Sequence, residues 1–394
     1  MRDAFDACLK CTLCVSQCPV MSVNPDFPGP KALGPEWYRQ NQAQMTAPLP
    51  HVDDCTFCQI CESVCPVDVP IAHLIAEQKA EKKHSLRVWL RDEILARPQW
   101  VARMAWLGAI PEPMRRLGKI SPGVQLPKPR KGQVRTLGEP LGADPRRIGL
   151  FVDCYSSGYD QELVMRAREL LRIWGFSVTL VPGEAQCCGA AAYAAGNPGL
   201  AKSTGHAMFR TLNRKKSDYD VIVTLNATCD GTLRDEWPEF YGLQITVPVI
   251  PFDEIANQAP ELFWEQLASL PAEPGAWITH TTCRGKVARG DGQLWELAKR
   301  AGFWDAEPSD AVCCGAGGSY AFKAEHESTA EQLAFRVREQ ALSSEAKGII
   351  TDSGTCAIHM EQAASIPARH PAYWLYARYL RYLEEGETHE TKTS

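Results

Sequence analysis

Cys8, Cys11, Cys14 and Cys18 stand in the spacing C-x2-C-x2-C-x3-C and are closed by Pro19; Cys55, Cys58, Cys61 and Cys65, closed by Pro66, repeat it. Three thiolates set two residues apart can face one cubane from a tight turn. A fourth, held off by three residues and a proline, reaches a neighbouring cluster. The spacing assigns Cys8, Cys11, Cys14 and Cys65 to one [4Fe-4S] cluster, and Cys55, Cys58, Cys61 and Cys18 to a second. Zinc is the alternative, but it needs only C-x2-C pairs, and two identical four-cysteine runs with prolines are more than zinc requires.

The other eight of the 16 cysteines fall into two sets, Cys154, Cys187, Cys188 and Cys229, then Cys283, Cys313, Cys314 and Cys356, with offsets of 129, 126, 126 and 127 residues between them. Offsets this constant mark a duplicated unit. Glycine follows each cysteine pair, at Gly189 and Gly315, because two adjacent thiolates meet one centre only where the backbone turns sharply. Gly315-Ala316-Gly317-Gly318-Ser319-Tyr320 is no dinucleotide loop, since it ends in Tyr320 and follows the cysteine pair. No FAD or NAD is expected on this chain.

The elements that hold these cysteines follow from local pattern. Each copy opens with a strand-like run into its first cysteine, Ile148 to Cys154 and Ala276 to Cys283. Helices such as Gln161 to Ile173 and Gln293 to Ala301 follow, and second apolar runs, Val221 to Leu225 and Gly348 to Thr351, lead toward Cys229 and Cys356. Strands alternating with helices imply a parallel sheet, and ligands of such sheets lie beyond the carboxyl ends of the strands. In the N-terminal module, Met1 to Lys10 and Ile71 to His84 are rich in helix formers, whereas Asn24 to Pro30, with three prolines, should be an ordered loop. The expected plan is an α-helical two-cluster domain over 1–80, a basic amphipathic arm and linker over 81–146, and two tandem α/β cysteine-rich domains with parallel-sheet units over 147–260 and 270–385.

From Lys82 to Arg135, 13 Lys or Arg face three acids, about +10 in a chain of net charge −5. Arg87, Arg91, Arg97 and Arg103 interleave with Trp89, Trp100 and Trp106 and with apolar residues at helical spacing, in two short helices broken at Pro98 and Pro111. Such a stretch reads as a surface for a membrane or membrane partner, or else as an arm packed on the cores. A pI near 6.0 gives no global pull toward nucleic acid, and none is expected as a partner. The start, Met1-Arg2-Asp3-Ala4-Phe5-Asp6, has no secretory pattern, and no window holds 18 uncharged apolar residues. The expectation is a reducing cytoplasm, with peripheral contact at the cytoplasmic face of the inner membrane.

The pattern Cys-x(about 30)-Cys-Cys-Gly-x(about 40)-Cys, present twice behind a two-cluster ferredoxin run, resembles the cysteine-rich "CCG" domain pair of heterodisulfide reductases and of the iron–sulfur subunits of glycolate, lactate and glycerol-3-phosphate dehydrogenases. Cys8-Leu9-Lys10-Cys11-Thr12-Leu13-Cys14, with Pro28-Gly29-Pro30-Lys31 and Gly34-Pro35, is most similar to the C subunits of the anaerobic glycerol-3-phosphate dehydrogenases. The resemblance implies an electron-transfer subunit, not acting on an organic substrate alone, that carries electrons from a flavin-dependent dehydrogenase partner to a membrane quinone or membrane subunit. It implies one or two further iron–sulfur clusters at Cys154, Cys187, Cys188 and Cys229 and at Cys283, Cys313, Cys314 and Cys356. The alternatives are a disulfide-cleaving cluster at these repeats and a zinc-stabilised structural protein.

One departure from the heterodisulfide reductase pattern stands out. Each repeat there ends in C-x2-C, and here the first of those positions holds Asn226 or Ser353, leaving four cysteines per site instead of five. Four suffice for a cubane. His280 and His359, three residues from Cys283 and Cys356, are candidates for a ligand or a proton relay.

Overall fold

The computed structural model describes residues 5–42, 47–82, 85–95, 120, 128–181 and 187–393. Its second half holds two four-stranded sheets. Strands β1 (Arg147–Phe151), β2 (Ser177–Val181), β3 (Val221–Thr224) and β4 (Val249–Pro251) lie in the order β2-β1-β3-β4. Strands β5 (Trp277–His280), β6 (Ala306–Pro308), β7 (Gly348–Thr351) and β8 (Ala368–Arg369) repeat it as β6-β5-β7-β8, and every pairing is parallel.

Sequence accounts for the arrangement. The central strands Val221–Thr224, Trp277–His280 and Gly348–Thr351 are buried at every position, as a parallel sheet covered on both faces requires. Helix Gln161–Ile173 buries Leu163, Val164, Ala167, Leu170, Leu171 and Ile173, a stripe at helical spacing. The C-terminal helix Pro371–Thr393 returns to the first repeat, where Tyr373, Leu375, Tyr376 and Tyr379 share one core with Leu150, Leu170 and Phe263. The two repeats thus share a core, and the last helix runs past residue 385.

In the N-terminal module, short helices Leu13–Ser16 and Ile60–Ser63 carry cysteines, and Ile71–Glu81 packs beside them. Residues 7–12 are irregular, not helical, because the backbone there must curl around Cys11. The loop over 24–29 is ordered: Phe27 is buried and the Asn24 amide donates to Asp54 Oδ2 at 2.9 Å. Helix Leu86–Leu95 is the helix of the basic arm among the described residues. Arg97, Trp100, Arg103 and Trp106 lie outside the described residues.

Candidate metal centres and the chamber between the repeats

The first run passes through left-handed backbone at Lys10 (φ 59°) and Thr12 (φ 67°), on either side of Cys11; the second does so at Phe57 (φ 59°) and Gln59 (φ 62°), around Cys58. Residues with a β-carbon hold this conformation only where their surroundings impose it. The curl turns amides toward sulfur: Lys10 N–H donates to Cys8 Sγ and Phe57 N–H to Cys55 Sγ, each at 3.4 Å. Gly189 N–H to Cys187 Sγ and Gly315 N–H to Cys313 Sγ repeat the bond at 3.4 Å. One device therefore recurs in all four cysteine sets, and such bonds are a lever on cluster potential.

Cys8, Cys11, Cys14 and Cys65 line one small cavity. Cys18 lines no part of that cavity and lies within electrostatic reach of Cys55, Cys58 and Cys61 as well as of Cys14. Burial raises the thiol pKa of Cys14, Cys55, Cys58 and Cys61, and pushes Cys18 up to about 11.

The eight cysteines of the repeats share one chamber. A cavity of about 150 Å³ is lined by Cys154, Cys187, Cys188 and Cys229 on one side and Cys283, Cys313, Cys314 and Cys356 on the other. Each first cysteine follows its strand, β1 or β5, by three residues, and each last cysteine follows β3 or β7 by five. All eight therefore sit beyond strand carboxyl ends, at the point where the strand order reverses. Helix N-caps hold the first cysteine of each set: Asp153 Oδ1 accepts from Tyr155 N–H (2.8 Å) and Ser156 N–H (3.1 Å), and Thr282 Oγ1 from Gly285 N–H (3.2 Å). Asn226 Oδ1 accepts from Thr228 N–H at 3.1 Å, and Ser353 holds the matching place, its Oγ 3.2 Å from Thr355 Oγ1. The positions where the related pattern has cysteine thus open helices in this chain, Asn226 with a side-chain cap bond and Ser353 without one.

Within each set the thiols touch in sequence, 154–187–188–229 and 283–313–314–356, with Cys188 Sγ 3.7 Å from Cys229 Sγ. Hydrogen bonds between neighbouring thiols, then burial, act on the thiol pKa values, and the net effect is upward for all eight. Among the described residues no three His, Cys, Asp or Glu are arranged to hold a single metal ion. Open chains of buried thiols, each with an amide donor on one sulfur, are a donor set suited to a polynuclear cluster whose positive charge offsets the cost of buried thiolate.

The N-terminal module reaches this chamber. Cys58 lies close enough to the second repeat that Cys283 raises its pKa and it raises that of Cys313, and Cys313 packs with Cys14, Cys61 and Leu74 in the module's core. Phe57 turns the other way and packs with Cys188 and Cys229.

Three groups here carry no spacing signal in sequence. Arg284 Nη2 is 2.6 Å from Glu236 Oε1, both side chains being less than a tenth exposed, and Gln59 (3.0 Å) and Thr232 (2.9 Å) donate to the same carboxylate. Arg289 joins Asp230 (3.2 Å), Asp253 (3.3 Å) and Asp352 (3.1 Å), binding the two repeats. Tyr155 and Tyr159 stack at 5.8 Å beside the thiols. In sequence these groups show only as neighbours of cysteines, Tyr155 of Cys154, Asp230 of Cys229 and Arg284 of Cys283.

Other expectations change. Arg91 is no membrane-facing arginine: it is buried and donates through Nη1 and Nη2 to both oxygens of Glu325 at 2.7 Å, a fork matched to a carboxylate. Trp89 and Arg87 are exposed. His280 is fully buried, lines no part of the chamber, and neither ring nitrogen has a hydrogen-bond partner among the described residues. His359 Nδ1 donates to the Cys314 carbonyl at 2.7 Å, which fixes its tautomer and orders the backbone at the cysteine pair.

Comparison with known proteins agrees with this plan. Residues 4–69 match the model of the 4Fe-4S dicluster domain, and residues 148–234 and 278–361 match that of the cysteine-rich domain. The chain is 26% identical to the C subunit of the anaerobic glycerol-3-phosphate dehydrogenase of Escherichia coli, over 94% of this chain and 98% of that one. It is 24% identical to the glycolate oxidase iron–sulfur subunit of the same species (92% and 91%) and 24% identical to the B subunit of the fumarate reductase (CoM/CoB) of Methanothermobacter marburgensis (90% and 67%). The chain belongs to the iron–sulfur proteins that join a 4Fe-4S dicluster domain to a duplicated cysteine-rich domain.

Proposed function

We propose that this chain is the electron-transfer subunit of a flavin-dependent dehydrogenase, of the glycerol-3-phosphate, glycolate or lactate type, and passes electrons to a membrane quinone or membrane partner. In this reading Cys8, Cys11, Cys14 and Cys65 hold one [4Fe-4S] cluster, Cys18, Cys55, Cys58 and Cys61 a second, and the two repeat sets hold further iron–sulfur clusters. When bound, these groups supply one-electron carriers. The chain's own residues bury them, donate amides to their sulfurs and set their order.

The observation that carries this is the closeness of Cys58 to Cys283 and Cys313. It supports a line of carriers from the N-terminal module into the second repeat, then across the chamber to the first. The outward face of helix Leu86–Leu95 exposes Leu86, Trp89, Leu90 and Ile94 within a segment of local charge near +10, which favours contact with an anionic bilayer. Among the described residues no helix is long and apolar enough to cross a membrane.

Protein prepared without oxygen is expected to contain at least about eight iron atoms and equal labile sulfide. Cys313→Ala is expected to abolish quinone reduction while the EPR signals of the N-terminal clusters persist. Zinc without iron would overturn the proposal.

A further inference from the structure

Five apolar side chains cluster at the chamber and line it: Leu95 from the arm helix, Tyr155 and Tyr159 from the first repeat, Phe322 and Ile358 from the second. They make an apolar vestibule of the same cavity that the thiols line. Tyr159 lines it, and its buried hydroxyl has no hydrogen-bond partner among the described residues, although buried hydroxyls nearly always find one. An unsatisfied donor among apolar rings fits a ligand that is itself a flat apolar ring bearing an acceptor oxygen.

The vestibule also has an approach of matching character. Helix Leu86–Leu95 buries Leu95 in it and presents Leu86, Trp89, Leu90 and Ile94 outward. Polar clamps hold the helix across both repeats. Arg91 pairs with Glu325, Asp92 with Lys323 at 3.3 Å, and Glu93 accepts from Asn197. Leu95 thus joins the exposed apolar face of this helix to the ring-lined part of the cavity.

Resting on the electron-transfer reading above, we infer that this vestibule binds the ring of a quinone, with Tyr159 Oη donating to a ring carbonyl and Leu95 standing at the entrance. The quinone takes two electrons from the cluster line, itself reduced by the flavoprotein, and two protons from water. Two O–H bonds form and quinol leaves.

The test uses the full chain with its clusters, reduced by dithionite under argon and mixed with menadione or with a water-soluble dye. Tyr159→Phe is expected to weaken the apparent affinity for menadione roughly 3- to 10-fold, the loss of one hydrogen bond. Leu95→Trp, which fills the entrance, is expected to slow reoxidation by menadione. Both variants should keep wild-type EPR signals and dye rates. Menadione kinetics unchanged in both variants overturn the vestibule and leave electron transfer to quinone standing. Wild-type clusters that the dye reoxidises and menadione does not overturn both.

Discussion

Tyr155 of the first repeat lies against Gly354 of the second so closely that a β-carbon on Gly354 would overlap the phenol ring. The contact has a counterpart: Arg284, which follows the first cysteine of its own repeat as Tyr155 does, lies against Gly231 of the other, where a β-carbon would stand 3.0 Å from Nη2. Each repeat reaches across to the helix that carries the other's last cysteine. The two contacts differ in stiffness, because a ring held in a stack cannot yield as the end of a guanidinium can. Gly354→Ala is therefore expected to lower unfolding free energy by about 1–3 kcal/mol, and Gly231→Ala by about 0.5 kcal/mol or less. Urea titration of the cluster-loaded protein measures both.

The Arg284–Glu236 pair is buried, so cutting one partner leaves the other charge without compensation. Arg284→Met is expected to cost about 3–5 kcal/mol, and the double variant with Glu236→Met to recover most of it. A double-mutant cycle in urea reads the coupling. Equal costs for the single and double variants would contradict it.

Burial lowers the pKa of His370 from 6.5 to about 3, and desolvation does the same to His280. A base whose folded pKa lies below its unfolded value stabilises the fold fully above pH 6.5, and the contribution fades as pH falls toward 3. At pH 5.5 each histidine has withdrawn about 1.4 kcal/mol relative to pH 7.5. The wild type should lose about 3 kcal/mol from the pair over that interval and His370→Leu about half as much, as compared by urea titration at the two pH values.

Gly189 (φ 97°) and Gly315 (φ 81°) turn the chain at the two cysteine pairs, and a β-carbon on either would strike a helix carbonyl, of Ala201 or Ala330. Gly189→Val is expected to disrupt the first repeat's site and Gly315→Val the second's. Iron and sulfide should fall in each variant while the N-terminal EPR signals remain. Full iron content in both would show that the turn is dispensable.

The cysteine grammar was readable because ligation fixes spacing. The offsets near 127 exposed the duplication, and β3 and β7 fall within the apolar runs that preceded Cys229 and Cys356. What lies across space left no periodic trace. Arg91 looked like its neighbours Arg87 and Arg97 until Glu325, 234 residues away, proved to hold it. Asn226 reads in sequence as the loss of a ligand, whereas its side chain caps the helix that carries Cys229; Ser353 opens the matching helix without a side-chain cap bond. The shared core under Pro371–Thr393 was hidden for the same reason, since amphipathic sequence tells which side of a helix is apolar but not which sheet receives it.

The packing of Cys313 and Leu333 into the core of the first seventy residues has a bearing on biogenesis. Ribosomes add about 5–20 residues per second, so Cys61 emerges roughly 10–50 s before the side chains that will enclose it. Through that interval the leading thiols are open to scavenging metals and oxidants. Iron delivery has this window, ahead of closure, in which to act, and slowing the delivery machinery rather than the folding should be what fills a cell with misloaded chains.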